Sequence, residues 1–144
     1  MREIEFRGKT DGDWCYGSLI NSPTADQYYI AEHLGDELVY PVEEETIGQY
    51  TGIEDKSGTR IYEGDIIYFK DENMYGLINF RYGGWYITWY GYVQVCNGVS
   101  WEEKYTECNE ESLCSNCLTE EDKIPYEIVG NIHDNPELLG GDNG

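Results

Sequence analysis

The amino-acid sequence predicts an all-β protein, on three observations. Residues 46–67 read TIGQYTGIEDKSGTRIYEGDII, in which two apolar segments flank a polar turn, as in a β-hairpin. Residues 74–82 and 85–95 form a second apolar pair around Gly83 and Gly84, a two-residue turn that right-twisted hairpins favour. The chain also contains 14 Tyr, 4 Trp and 3 Phe, and aromatic side chains pack well on β-sheets.

The strands before the central block are predicted in two pairs, each flanking a short polar turn. The pairs are residues 3–8 with 14–20 and residues 28–30 with 37–42, joined by turns at 11–13 and 34–36. The acidic run 43–45 is predicted to be a solvated connection to the central block.

The central block predicts two further strands, and its glycines mark special backbone positions. Three of them are expected at a positive φ or where two strands pass closely: Gly52, Gly58 and Gly64. Along the strand 85–95, Trp85 and Trp89 fall on one face, and Tyr86 and Tyr90 fall on the other. This alternation predicts that both faces are covered, one of them at a subunit interface, or that one face is a binding surface.

The remaining segments are assigned from composition and capping signals. The acidic, Cys-containing stretch 96–123 is interpreted as a variable insertion, with residues 102–123 in a loop or a short helix. Residues 126–132 are predicted to form the last strand. Asn135 and Pro136 then begin a short C-terminal helical turn, with Asn135 as its N-cap.

The charge balance excludes some classes of partner. The formal charge is −20, from 29 acidic and 9 basic residues. General binding to duplex DNA is therefore not expected, because it needs several Lys or Arg side chains on one face. Arg2, Arg7 and Lys9 leave room for a local cationic site near the N-terminus. Because the chain lacks an apolar run of about 18 residues and a signal-peptide core, we expect a single cytoplasmic domain over residues 1–144, without a membrane segment.

Three separated motifs carry a family resemblance. Residues 2–9 and 14–19 read REIEFRGK and WCYGSL, residues 46–67 are the central block, and residues 126–139 read YEIVGNIHDNPELL. Together they resemble the YopX-like proteins of phages and prophages, and the stretch 96–123 departs from that pattern. The resemblance implies a small SH3-like barrel with additional N-terminal strands, and a mobile-element origin in a bacterial host cell. It implies no settled activity.

A candidate ligand site lies in the central motif. Its side chains combine aromatic surface, amide and hydroxyl groups, and cations for a phosphate. The predicted ligand-binding set is Gln49, Tyr50, Thr51, Lys56, Arg60 and Tyr62. If this set binds a ligand, Tyr50→Ala and Arg60→Ala should abolish capture and leave the fold intact. The structural alternative is that Gly64 and Asp65 only shape a turn.

The cysteines give a weak metal signal. Cys108, Cys114 and Cys117 fall within ten residues, but structural zinc needs four ligands, and the fourth would have to be Cys96 or His133. The surrounding glutamates disfavour the thiolate that a redox role needs. The chain also contains no HExxH or P-loop motif. We therefore predict no cofactor, with zinc as the less favoured alternative, and no enzymatic activity.

Three binding functions remain for a phage accessory protein. The first is a counter-defence sponge, a homo-oligomer that sequesters a small nucleotide immune signal without cleaving it. The second is an acidic inhibitor that mimics nucleic acid and occupies the basic groove of a host defence protein. The third is an accessory protein that binds another phage protein. We favour the sponge, although the charge of −20 counts against it unless cations line a pocket.

Overall fold

The computed structural model describes residues 4–22, 24, 26–32, 39–96, 98–113 and 123–140, and it confirms the all-β class. The strands pair antiparallel, and 3₁₀ turns occur at Glu44–Thr46 and Pro136–Leu138. The chain divides into two compact units, Met1–Gly52 and Ile53–Gly144. Across the described residues, no helix has the length and apolar character that a membrane crossing requires.

The first unit is an antiparallel sheet. Its strands are β1 (Phe6–Thr10), β2 (Asp13–Ser22), β3 (Gln27–Ala31), β4 (Val39–Val42) and β5 (Gly48–Glu54), in the order β4-β3-β2-β1-β5. The side chains of Cys15, Ile30 and Val42 form its buried core. Both predicted strand pairs are confirmed, and the predicted turn at 34–36 lies outside the described residues.

The second unit takes in the end of β5 and a five-stranded antiparallel sheet. Beside β5 lies β6 (Arg60–Tyr62). The sheet consists of β7 (Asp65–Phe69), β8 (Met74–Arg81), β9 (Gly84–Cys96), β10 (Trp101–Ser112) and β11 (Glu127–Asn131), in the order β10-β9-β8-β7-β11. The predicted positive φ angles are confirmed at Gly52, Gly58 and Gly64.

One face of this sheet carries the larger core of the protein. Its buried side chains are Ile53, Ile61, Ile67, Ile78, Ile87, Trp89, Leu113 and Ile124. On the opposite face of β9, Thr88 is also buried, and its hydroxyl accepts a hydrogen bond from the Asn79 amide at 2.9 Å. Tyr86 and Tyr90 on that face are half-buried. From Trp85 to Tyr90, strand β9 is therefore at least half-buried on both faces, which agrees with the first of the two alternatives that its alternation leaves open.

The β8–β9 turn differs by one residue from the prediction. The two turn residues are Tyr82 and Gly83, with φ angles of 52° and 79°, and Gly84 already pairs with Arg81. Two-residue hairpins of this kind need a positive φ at both central positions. The prediction placed Gly84 in the turn because it assigned that conformation to glycine alone, whereas Tyr82 adopts it here.

Strand β10 is the main correction to the sequence analysis. Residues 102–123 were expected to form a loop or a short helix, yet Trp101–Ser112 pairs along β9, with an irregularity between Glu107 and Asn109. The sequence of β10 is polar because most of its side chains face solvent, so it lacks the apolar alternation that predicts a strand. Its strand conformation comes from pairing with the long strand β9. The expected SH3-like barrel is also not closed over the described residues, since β10 and β11 lie at opposite edges of the sheet.

The C-terminal turn is confirmed, but its predicted cap is wrong. Pro136–Leu138 forms the 3₁₀ turn, and the Asn135 side chain makes no capping hydrogen bond. Its Oδ1 instead accepts a hydrogen bond from the Asn131 N–H at 3.2 Å. The Asn135 side chain therefore ties the turn back to the end of β11.

The Tyr105 hydroxyl connects β10 to this C-terminal turn. It donates a hydrogen bond to the Leu138 carbonyl at 2.7 Å. Burial, followed by the neighbouring Tyr75 and Tyr92, raises the pKa of Tyr105 from 10.0 to about 12. The folded protein thus keeps this phenol protonated at a pH where the unfolded chain ionises it. The contribution of the Tyr105 phenol to folding stability is fully present below pH 10 and is lost as the pH rises through 12.

We expect Tyr105→Phe to lower the free energy of unfolding by about 1 kcal/mol at neutral pH, because one hydrogen bond is lost. The variant should also lose less stability than wild type between neutral pH and about pH 11. Urea unfolding at both pH values measures the two effects. Tyr82→Phe, which removes the hydroxyl of a tyrosine that is 79% exposed, is the control. An unchanged alkaline slope in Tyr105→Phe would contradict the assignment.

Candidate functional site

A cleft of about 290 Å³ in the second unit combines lysines with aromatic rings. It lies between the end of β7 and the beginning of β11. Its lining residues are Lys56, Tyr68, Phe69, Lys70, Asp71, Pro125, Tyr126, Glu127 and Val129. Small-molecule sites are commonly concave and mostly apolar, with a few charged groups that orient the ligand. This cleft has that composition, although it is near the small end of the usual size range.

The turn after β7 places the first lysine. Strand β7 ends at Phe69, and the chain reverses through residues 70–73, where the Asn73 N–H donates to the Lys70 carbonyl at 3.2 Å. Asn73 has a φ of 53°, a left-handed conformation that asparagine tolerates better than most residues. Its side-chain Oδ1 accepts a hydrogen bond from the Tyr68 hydroxyl at 2.9 Å. The turn thus fixes the backbone of Lys70 at the cleft that Tyr68 also lines.

The buried carboxylate of Asp55 places the second lysine. Asp55 is only 3% exposed. Its two oxygens accept three backbone hydrogen bonds, from the N–H groups of Ser57, Thr59 and Ile128 at 2.9, 2.9 and 3.1 Å. The Lys56 N–H also donates to the Tyr126 carbonyl at 3.0 Å. The 55–59 loop is thereby fixed to the start of β11, with Lys56 at the cleft.

Aromatic rings connect the cleft to the core of the second unit. The Phe69 and Tyr126 ring centroids are 5.0 Å apart, and the Tyr126 and Trp89 centroids are 5.1 Å apart. The Trp89 indole N–H donates to the Glu111 carboxylate at 2.7 Å. Burial and the nearby Glu111 raise the pKa of Tyr126, so its phenol is neutral at physiological pH. The cleft therefore has an uncharged aromatic surface on which a planar ring can stack.

Lys56, one of the two lysines of the cleft, is weakly engaged by the protein. The Lys56 ammonium lies 4.0 Å from the Glu127 carboxylate, and both side chains are about half exposed. The Ser57 hydroxyl donates to the same Glu127 oxygen at 3.0 Å. Exposed ion pairs of this length contribute little to stability. A ligand phosphate could therefore replace Glu127 at Lys56 at small cost.

The structure distributes the predicted ligand-binding residues over both units. Tyr50, Thr51 and Tyr62 are buried, at 8%, 0% and 4% exposure. Gln49 and Arg60 are half-buried, and Lys56 is exposed. Of the six, Lys56 lines the cleft. The proposed Tyr50→Ala test is consequently unsuitable, because truncating a buried tyrosine alters the fold as well as any site.

Sequence reasoning missed four residues that define the cleft: Tyr68, Phe69, Lys70 and Tyr126. Two aromatic residues directly before Lys70, at the end of a predicted strand, could have indicated this part of the cleft. The contribution of Tyr126 depends on the pairing of β11 with β7, which joins segments far apart in the chain.

The metal hypothesis receives no added support. Cys96 and Cys108 are exposed free thiols, whereas Cys114 and Cys117 lie outside the described residues. The His133 N–H donates to the Asn131 side chain at 3.0 Å. Among the residues that the structure describes, no group of three or more His, Cys, Asp or Glu side chains is arranged to hold a metal ion.

The first unit has a larger groove of different character. Its volume is about 700 Å³, and five carboxylates contribute to its lining: Asp11, Asp26, Glu43, Glu44 and Glu45. Such a groove disfavours anions and favours cationic groups.

Known proteins provide a family and a structural relative. No curated protein matches the chain. The crystal structure of protein EF1440 from Enterococcus faecalis is similar, at 22% sequence identity and a TM-score of 0.43 over 96% of this chain and 99% of that chain. The YopX protein family matches residues 5–140. Because that span covers nearly the whole chain, the protein belongs to the YopX family, as the three sequence motifs indicate.

Proposed function

We propose that this protein is a non-enzymatic phage accessory protein that acts by binding, and that it sequesters a small nucleotide as a homo-oligomeric sponge. Membership of the YopX family suggests the phage-type accessory role. Counter-defence in the bacterial cytoplasm, by capture of a nucleotide immune signal, is the purpose that we assign to this binding.

One observation carries the proposal: the cleft of the second unit places two lysines beside three aromatic rings on a protein with a charge of −20. Nucleotide binding needs a stacking surface for the base and charge-assisted hydrogen bonds for the phosphates. Tyr68, Phe69 and Tyr126 supply rings, and Lys56 and Lys70 supply ammonium groups. Asp71 and Glu127 also line the cleft and oppose an anion, so we expect a ligand with few phosphates.

Native mass spectrometry tests the function directly. The protein is purified from cells with an active nucleotide-signalling defence. We expect an oligomer that carries additional mass of nucleotide size. Release of that mass, unaltered, on denaturation would support sequestration without cleavage. A bare protein from such cells would contradict the sponge.

Substitutions in the cleft test the location of the site, with ADP as the probe in calorimetric titrations. Lys56→Ala and Lys70→Ala should each weaken binding about tenfold or more, because each removes a charge-assisted hydrogen bond. Glu127→Gln should strengthen binding by about fivefold, since a carboxylate near 4 Å no longer competes for Lys56. Lys9→Ala removes a cation of the first unit and serves as the control. Wild-type affinity in the Lys56, Lys70 and Glu127 variants would place the site elsewhere.

The acidic groove of the first unit favours a second candidate, the inhibitor that mimics nucleic acid. Its five carboxylates would occupy the basic surface of a host defence protein. Replacing Glu43, Glu44 and Glu45 with Gln should then weaken binding to that protein and lower the salt sensitivity of the interaction. Unchanged binding and salt sensitivity would count against this candidate.

A further inference from the structure

The outer strand β10 has an exposed half that extends beyond most of its sheet. Pairing between β8 and β9 extends only as far as Tyr90, whereas β10 pairs with β9 as far as Cys96. Over this extension the two strands form a ribbon at the edge of the sheet, and Trp101 is 68% exposed. Long exposed edge strands are sites at which another strand can add.

The side chains of this half-strand alternate between the two faces of the ribbon. Trp101, Glu103 and Tyr105 face one side of the ribbon. Glu102 and Lys104 face the other side, so opposite charges are two residues apart along the same face of the edge.

We propose that β10 pairs antiparallel with β10 of a second copy of this chain, about a two-fold axis at Glu103. This register places Trp101 opposite Tyr105 of the second copy and Glu102 opposite Lys104 of the second copy. By symmetry each pairing occurs twice. Aromatic pairs and opposite-charge pairs directly across two strands are stabilising. The only directly opposed like charges in this core of the register are the two Glu103 side chains.

Neighbouring registers are less favourable, which makes the proposal specific. An axis at Lys104 opposes two lysines, and an axis at Tyr105 opposes Glu103 to Glu107 twice. An axis at Glu102 opposes two glutamates and loses the Trp101–Tyr105 pairs. The charge of −20 on each copy opposes association in general, so a dimer requires local complementarity of this kind.

The inference deepens the proposed function by naming a surface for its oligomer, and it rests on that function only for the purpose of the assembly. The pairing itself needs no nucleotide. Dimer formation can therefore be measured without nucleotide. A protein that does not dimerise would contradict the interface, whereas a protein that dimerises but captures no nucleotide would contradict the sponge.

Exchange of the charges at Glu102 and Lys104 tests the interface. Sedimentation equilibrium of the full chain measures the dimer at physiological ionic strength, where the repulsion between the net charges is largely screened. The apparent mass of the wild-type protein should be twice that of one chain. Glu102→Lys and Lys104→Glu should each weaken the dimer at least tenfold, because each opposes like charges twice. The double variant Glu102→Lys/Lys104→Glu should restore the dimer, since the opposite charges have only exchanged strands.

Two further variants complete the test. Trp101→Ala should weaken the dimer by removing both aromatic pairs. Asp13→Lys makes the same charge change as Glu102→Lys at an exposed position of the first unit, and it should leave the dimer intact. A wild-type monomer, a dimer that tolerates both single charge changes, or a double variant that stays monomeric would overturn the proposal. Rescue by the double variant would also exclude misfolding as the cause of the single-variant effects.

Discussion

Replacement of Asp55 by Ala should lower the free energy of unfolding by about 3 to 5 kcal/mol, because a buried carboxylate that accepts three backbone hydrogen bonds is removed. The three donors, Ser57, Thr59 and Ile128, belong to one loop and to β11. Alanine leaves these three N–H groups, which are partly buried, without their acceptor, and the cost of an unmet donor of this kind exceeds the net gain from making the bond.

The same substitution should weaken nucleotide binding, since Asp55 holds the loop that carries Lys56 against the strand that carries Glu127. Urea unfolding measures the stability, and titration with ADP in the absence of denaturant measures the binding. Asp55→Asn is the matched control: it retains one carbonyl oxygen for Ser57 and Thr59 and loses the acceptor for Ile128. We expect a loss of about 1 to 3 kcal/mol for Asn, intermediate between wild type and Ala. Equal stability of the Ala and Asn variants would indicate that the Ser57 and Thr59 bonds contribute nothing.

Local chemistry explains which strands could be predicted from the sequence. The β1–β2 turn contains Asp11 and Gly12, both at positive φ, and residue types that tolerate this conformation are visible in the sequence. Strand β10 was missed because its most exposed half carries Glu and Lys side chains, as expected for an edge strand. Its conformation is determined by β9, a partner that composition alone does not identify.

The candidate site was only partly predictable, for a related reason. Lys56 was found because it lies within the central motif. Phe69 and Tyr126 were missed because they meet only when β11 pairs with β7, at a register interrupted between Ile128 and Gly130. Tyr50 was selected by residue type, yet a β-rich protein also needs aromatic side chains in its interior, where Tyr50 lies at 8% exposure.

The distribution of charge makes an acidic protein compatible with the anionic ligand that we propose. A net charge of −20 acts over distance, and salt screens it beyond about 8 Å at physiological ionic strength. On an anion bound in the cleft, the ammonium groups of Lys56 and Lys70 would act at contact distance, where screening is least effective. The net charge should therefore slow ligand association more than it accelerates dissociation. Higher salt should accordingly raise the association rate of ADP.

Gly76→Ala should lower the free energy of unfolding by about 2 to 3 kcal/mol, because the core of the second unit has no space for one more methyl group. A Cβ at Gly76 would lie 2.6 Å from the Ile87 Cγ2 atom and 3.0 Å from the Trp89 ring. Gly76 pairs directly across from Trp89, so the indole covers this glycine. The ring cannot shift freely, since its N–H is bonded to Glu111.

Displacement of Trp89 by that methyl group should also reach the cleft. The Trp89 ring packs on Tyr126 at 5.1 Å and on Phe69 at 6.0 Å, and both of these rings line the cleft. We therefore expect weaker ADP binding together with a shifted tryptophan emission spectrum. Gly84→Ala on the next strand is the control, because the nearest atom to its new Cβ is 3.9 Å away, and it should change stability by about 0.5 kcal/mol or less. If Gly76→Ala lost stability but kept full ADP affinity, the aromatic core and the ligand surface would be independent, and stacking on Phe69 and Tyr126 would not contribute to capture.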